Sequence, residues 1–223
     1  MAKGIFPVIF ALCLTLISFN LYSQSAPWVG TDPSGVQCKG LRKGVGPLDY
    51  TNPAHRNSNL FGLVVRAHFN DDVRTLRRGQ SADTPAGDLD YTLSGIPNHH
   101  VALDSMMKYQ LNKNNQRDLK SKGTPSTLCY LQRAINFSPD DYIPPMLLGI
   151  WYAKSSLPDE ALTAYKKAAE IEPDSSQLNY NIGLLYLEMG QPENALLYAK
   201  RAYAKKYPFK GLKNKLIEQG VWE

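Results

Sequence analysis

Cysteine and histidine are both scarce in this chain of 223 residues: there are three of the first and four of the second. The cysteines stand singly at 13, 38 and 129, so no CxxC pair exists to make a redox centre or half of a zinc knuckle. The histidines, His55, His68, His99 and His100, all fall in the first hundred positions, and none has the HExxH spacing that puts two imidazoles on one helical face. GxSxG, GxGxxG and the phosphate-binding GxxxxGKS/T are absent too, which removes the usual sequence grounds for a serine hydrolase, a dinucleotide enzyme or a P-loop nucleotidase. A net charge of +5 is too mild, taken over the whole chain, to imply a polyanionic partner. Beyond residue 25 no apolar run is long enough to cross a bilayer.

What is present begins with "MAKGIFPVIFALCLTLISF", a positive charge followed by an apolar run of the length of a signal-peptide core. Pro7 interrupts it as a membrane span, and Ser23 and Ser25 are small residues placed for cleavage before Ala26. Residues 1–25 therefore read as a secretory signal, with an uncleaved N-terminal anchor as the second reading, and the mature chain is expected in the periplasm or outside the cell. Cys13 lacks the small neighbour that lipoprotein processing needs. Without the signal, Cys38 and Cys129 are left as an even pair in an oxidising compartment and are expected to bridge, two free buried thiols being the alternative.

The rest of the chain is organised by a repeat. "YIPPMLLGIWYAKSSLPDEALTAYKKAAEIEPDS" (142–175) aligns without gaps on "SQLNYNIGLLYLEMGQPENALLYAKRAYAKKYPF" (176–209). Gly149 falls on Gly183, Tyr152 on Tyr186, Pro158 on Pro192, Ala161 on Ala195 and Ala168 on Ala202, each 34 residues apart. Glycine and alanine carry so little side chain that two helices can cross at close range, while Leu, Tyr and Met at helical spacing fill the remaining seam. Pro158-Asp-Glu and Pro192-Glu-Asn set proline and acids in a first helical turn, where the missing N–H costs nothing and the helix dipole favours negative charge.

These two units resemble tetratricopeptide repeats. The motif positions are the large residue, glycine and aromatic of the first helix (Leu148, Gly149, Tyr152; Ile182, Gly183, Tyr186), the two alanines of the second, and the closing Pro173. Both units lack the family's tryptophan, having Pro145 and Asn179 there. Carried upstream, the register finds Pro139-Asp140 before "STLCYLQRAINF", and before a polar loop (111–126) the junction Pro97-Asn98-His99-His100. At the positions of His99 and His100 the later junctions have Asp141-Tyr142 and Ser175-Ser176. "DLDYTLSGI" reads as the short second helix of a degenerate unit. "HRNSNLFGLVVRAHF" reads as an earlier helix, followed by one running from an N-cap at Asn70 to a stop at Gly79. "KGLKNKLIEQG" reads as a polar-backed capping helix. The expected fold is all-α, with an N-terminal helical region (26–97), a repeat array (98–209) and a cap (210–223). "GPLDYTNPAHR", "AHF" and "DLDYTL" ahead of such repeats also resemble small exported bacterial proteins, which implies location and architecture and no activity.

Two functional readings follow. The resemblance implies that the first helix of each pair lines a groove, here through Ile143, Met146, Ile150, Tyr180, Leu184 and Leu187. The family's carboxylate clamp needs lysines, arginine and asparagines at those positions, and they are not supplied. The groove is apolar and suits a hydrophobic or amphipathic helical segment of a protein partner, the chain's own N-terminal segment or another copy. No cofactor and no nucleic acid is expected. The basic C-terminal stretch, Lys200, Arg201, Lys205, Lys206, Lys210, Lys213 and Lys215, offers contact with an anionic surface. The alternative is a metal-binding or hydrolytic site drawn from His68, His99, His100, Asp88 and Asp90. Adjacent histidines on a helix point about 100° apart, which tells against His99 and His100 sharing an ion.

Overall fold

The structure, a computed structural model, describes residues 25–40, 44–115, 119 and 123–222. The expected signal and Cys13 lie outside these residues, Ser25 apart. Eleven α-helices are described: α1 (Pro53–Arg56), α2 (Asn59–His68), α3 (Asp71–Arg74), α4 (Pro85–Gly95), α5 (His100–Leu111), α6 (Thr127–Phe137), α7 (Ile143–Lys154), α8 (Pro158–Ile171), α9 (Ser176–Glu188), α10 (Pro192–Ala204) and α11 (Gly211–Glu218). None is long and apolar enough to cross a membrane.

The 34-residue pattern becomes two antiparallel hairpins, α7–α8 and α9–α10. Pro158 and Pro192 stand at the helix starts with Asp159, Glu160 and Glu193 in the first turns. Ser156 and Gly190, again 34 apart, follow α7 and α9 in the left-handed conformation, at φ 61° and 69°. Glycine takes that backbone without a Cβ clash and Ser156 bears its cost. A Cβ on Gly149 would lie 2.4 Å from Tyr165 Cδ1, so the absent side chain is what lets α7 meet the ring from α8. Gly149→Ala is therefore expected to destabilise by about 1–3 kcal/mol through overpacking, seen as a lower urea midpoint at constant m-value. An unchanged midpoint would mean that the Tyr165 ring yields freely.

The apolar faces are passed from one pair to the next, as a stacked array requires. Val73, Leu89, Leu93, Leu103, Met106, Met107, Tyr130, Leu131 and Leu147 form the largest buried cluster, drawn from α3 to α7. Met146, Ala161, Tyr165, Ala168, Leu178, Ile182 and Leu185 fill the seam of α7, α8 and α9. Ala195, Ala199, Leu212 and Leu216 close the array, with α11 covering the end of α10.

Residues 25–40 lie along α6 and use almost every residue of one turn. Cys129 is disulfide-bonded to Cys38, with a Cα separation of 5.4 Å. Trp28 sets its ring edge-on to Tyr130 at 5.3 Å, Gln132 Nε2 donates to the Thr31 carbonyl at 3.1 Å, and Arg133 Nε donates to the Ala26 carbonyl at 2.8 Å. The expected cysteine pair is the pair found.

Two boundaries differ from expectation. The helix from Asn70 ends at Arg74, not Gly79, because Leu76 turns left-handed at φ 63°, and the amides of Gln80, Ser81 and Ala82 then turn back onto the Asp88 carboxylate, at 2.6–3.1 Å from Oδ2. The helix expected as "DLDYTLSGI" begins earlier, at Pro85, and runs for 11 residues.

Candidate functional site

The groove residues do not all stay available. Met146 is 2% exposed and sits in the seam against Leu178 and Ile182, so it belongs to the core and corrects the expectation that it faces a partner. Tyr180 lays its ring 4.7 Å from that of Tyr207, and Leu187 packs on the cluster of α10 and α11. Ile143, half-buried, packs on both neighbouring core clusters. Ile150 and Leu184 also pack on these clusters, but both stay partly exposed and together line a cleft of about 250 Å³ between α7 and α9.

Ile150, Ala153, Leu184 and Leu185 give that cleft an apolar floor, while Lys154 and Glu188 stand exposed at its edge, one from each first helix. Tyr165 closes the bottom, and burial together with the Glu188 charge pushes its phenol above the usual range, keeping it neutral. Asn181 projects between the apolar groups, and its Nδ2 is buried without a hydrogen-bond partner. A buried amide donor left unpaired costs about 1–3 kcal/mol, which a ligand carbonyl would recover. Sequence reasoning missed Asn181. Its signal was an amide at the head of the apolar stretch "IGLLYL", two residues after Asn179. No residue of 25–40 lines this cleft; the N-terminal segment is engaged on α6 instead.

The histidines and aspartates of the alternative reading are dispersed. His68 Nδ1 meets Asp88 Oδ1 at 2.7 Å and stacks on Tyr91 at 3.8 Å, so both serve the turn that Asp88 gathers. Asp90 accepts from the Tyr130 hydroxyl at 2.5 Å, beneath α6. Burial pushes that phenol far up, and burial also lowers the Arg133 guanidinium to about 10. Arg133 in turn donates to the Leu93 and Ser94 carbonyls at 2.7 and 3.3 Å, satisfying the C-terminal end of α4. Among the described residues no three His, Cys, Asp or Glu side chains converge as metal ligands. Of the five candidates only His68 and Asp88 meet; Asp90 is held by Tyr130, His100 by Asp141 and His99 by the Ala102 amide, so no third ligand joins the pair.

His99 and His100 have separate duties. His99 is the N-cap of α5, its Nδ1 accepting the Ala102 amide at 3.2 Å, and its ring is buried among Tyr50, Phe61 and Phe69. His100 Nε2 meets Asp141 Oδ2 at 2.7 Å. Asn98 gathers what surrounds them: its Nδ2 donates to Asp49 Oδ1 at 2.8 Å and to Asp141 Oδ2 at 3.2 Å, and its Oδ1 accepts the Tyr50 amide at 2.9 Å. One asparagine thus ties the segment at 49–50, the start of α5 and the junction before α7.

The family described as TPR repeat matches residues 159–190. Solved structures similar to the chain include a thermophilic TPR protein from Thermus thermophilus, at 17% identity and a TM-score of 0.46, covering 61% of this chain and 72% of that one. MamA AMB-1 is 18% identical with a TM-score of 0.42, over 73% of this chain and 89% of its own. MamA MSR-1 is 19% identical with a TM-score of 0.38, over 61% and 67%. No curated protein matches in sequence.

Proposed function

We propose that this tetratricopeptide-repeat chain is a non-enzymatic interaction module of the periplasm or cell surface, and that it takes an apolar or amphipathic helical segment of a protein partner into the cleft between α7 and α9. The observation that carries this reading is the unpartnered Asn181 Nδ2 in an apolar cleft edged by Lys154 and Glu188. An aliphatic anchor would fill the floor, and a carbonyl of the partner would take the Asn181 donor. Placement in an oxidising compartment is supported by the Cys38–Cys129 bridge and by the signal-like start.

Ile150→Glu and Leu184→Glu test the cleft from its two sides; each side chain is partly exposed there while its inner part packs on a core cluster. Each is expected to weaken capture of an envelope partner by tenfold or more, the scale of about 1.4 kcal/mol for losing one apolar anchor, measured at a temperature where helical circular dichroism shows the variant folded, with melting lowered by the lost packing. Equal capture by both variants would remove the cleft as the docking site.

A further inference from the structure

The C-terminal end of the array carries a second surface that the cleft reading does not use. Phe209 is 64% exposed at the turn between α10 and α11, the highest exposure among the large apolar side chains of the described residues. Its position is held: the Tyr203 hydroxyl donates to the Phe209 carbonyl at 2.9 Å and itself accepts the Lys213 amide at 3.1 Å. Around it run further aromatics in contact, with Tyr207 at 5.6 Å from Phe209 and Trp222 at 5.5 Å from Tyr203. Lysines ring this cluster. Lys206 and Lys210 flank the turn, both exposed, and Lys213 lies over the Trp222 ring at 5.0 Å. Lys206 adopts a left-handed backbone at φ 59°, which fixes the bend that presents the turn.

We infer that this turn docks on an anionic phospholipid bilayer, with Phe209 entering the acyl boundary while Trp222 and Tyr203 lie at headgroup level and the lysines meet phosphates. A Phe held in water by backbone hydrogen bonds is costly in solution and useful where its ring is withdrawn from water. Trp and Tyr, apolar with one polar atom, favour the same interfacial depth. The charge is lysine almost throughout, a set of point cations suited to a diffuse phosphate surface. Base-stacking by nucleic acid is disfavoured because the rings are set against one another, Tyr207 tilted on Tyr180 and edge-on to Phe209, and Tyr203 edge-on to Trp222, and offer no row of parallel open faces.

The test is co-sedimentation of the full chain with vesicles of phosphatidylcholine, with and without phosphatidylglycerol. The chain is expected to bind the mixed vesicles at least tenfold better, with binding lost at high salt. Phe209→Ser should reduce it about tenfold, and the double change Lys206→Glu with Lys210→Glu about twenty-five-fold or more, taking roughly fivefold per lysine near the surface. The apolar N-terminal residues are common to all chains, so the triple change Phe209→Ser, Lys206→Glu and Lys210→Glu sets the binding they contribute, and that baseline is subtracted before the ratios are taken. Phe209→Trp should be quenched by brominated acyl chains. Ile150→Glu and Leu184→Glu should bind vesicles as the unaltered chain does, which separates this surface from the cleft. Equal binding to phosphatidylcholine alone, unaltered binding by the variants, no quenching, or retention by single-stranded DNA or an acidic polypeptide but not by vesicles would each overturn the inference.

Discussion

Replacing Cys38 and Cys129 together with serine is expected to lower stability by about 4–5 kcal/mol, because the bridge closes a loop of 91 residues and that constraint on the unfolded chain disappears. At the size of this domain the loss corresponds to a melting shift of roughly 10–20 °C. The damage should begin at one end. Residues 25–40 would keep the packing of Trp28 on Tyr130, Arg133 and the core cluster and the bonds from Gln132 and Arg133 to hold them on α6. The hairpins α7–α8 and α9–α10 have seams of their own and contain neither cysteine. Hydrogen exchange should therefore rise first in α4 and α6, around Arg133 and Asp90, and last in α8 to α10. A variant that melts within 2–3 °C of the unaltered chain, by the same scaling, would show that packing alone fixes the N-terminal segment.

That contrast also explains which parts were legible in the sequence. The hairpins obey a local rule, glycine and alanine where helices cross and apolar residues at helical spacing between them, and a local rule repeats visibly at 34 residues. The N-terminal half obeys none. Its geometry is set by single polar side chains acting across long separations: Asp88 collecting three amides, Arg133 taking the carbonyls at the end of α4, Asn98 joining Asp49 to Asp141. Such bonds leave no period. The groove failed in part for a related reason. Position rules placed Met146 and Tyr180 toward a partner, but Met146 fills the seam with α9 and Tyr180 is taken by Tyr207.

The repeat register does account for the two histidines once capping is considered. Ser175 accepts the Leu178 amide at 3.3 Å and opens α9, and Asp141 accepts the Ile143 amide at 3.1 Å before α7. His99 stands at the corresponding place and accepts the Ala102 amide at the start of α5. Three junctions thus use three residue types for one job, satisfying an unpaired N–H in a first helical turn. His100 then reaches the Asp141 of the following junction, so consecutive units are tied cap to cap.

A capping histidine carries a pH dependence that serine lacks, and here it is expected to be large. Burial, with a smaller contribution from the neighbouring His100, lowers the His99 imidazole from 6.5 to about 3. Above pH 6.5 the ring is neutral in both the folded and the unfolded chain and contributes no slope. Between 6.5 and about 3 the unfolded chain binds a proton that the folded chain refuses, so stability falls as pH falls, by about 1.4 kcal/mol per pH unit at most. The total over that window is on the order of 4 kcal/mol. The hydrogen bond points the same way, since Nδ1 must keep its lone pair to accept the Ala102 amide. His99→Asn preserves a capping oxygen and removes the titration, so its absolute stability will drop with the lost ring contacts while its slope flattens. Urea unfolding of both chains from pH 7 to pH 4 separates the two effects, because His100, Asp141 and the remaining carboxylates are common to both. A slope in His99→Asn equal to that of the unaltered chain would place the proton uptake on another group and leave His99 as a cap alone.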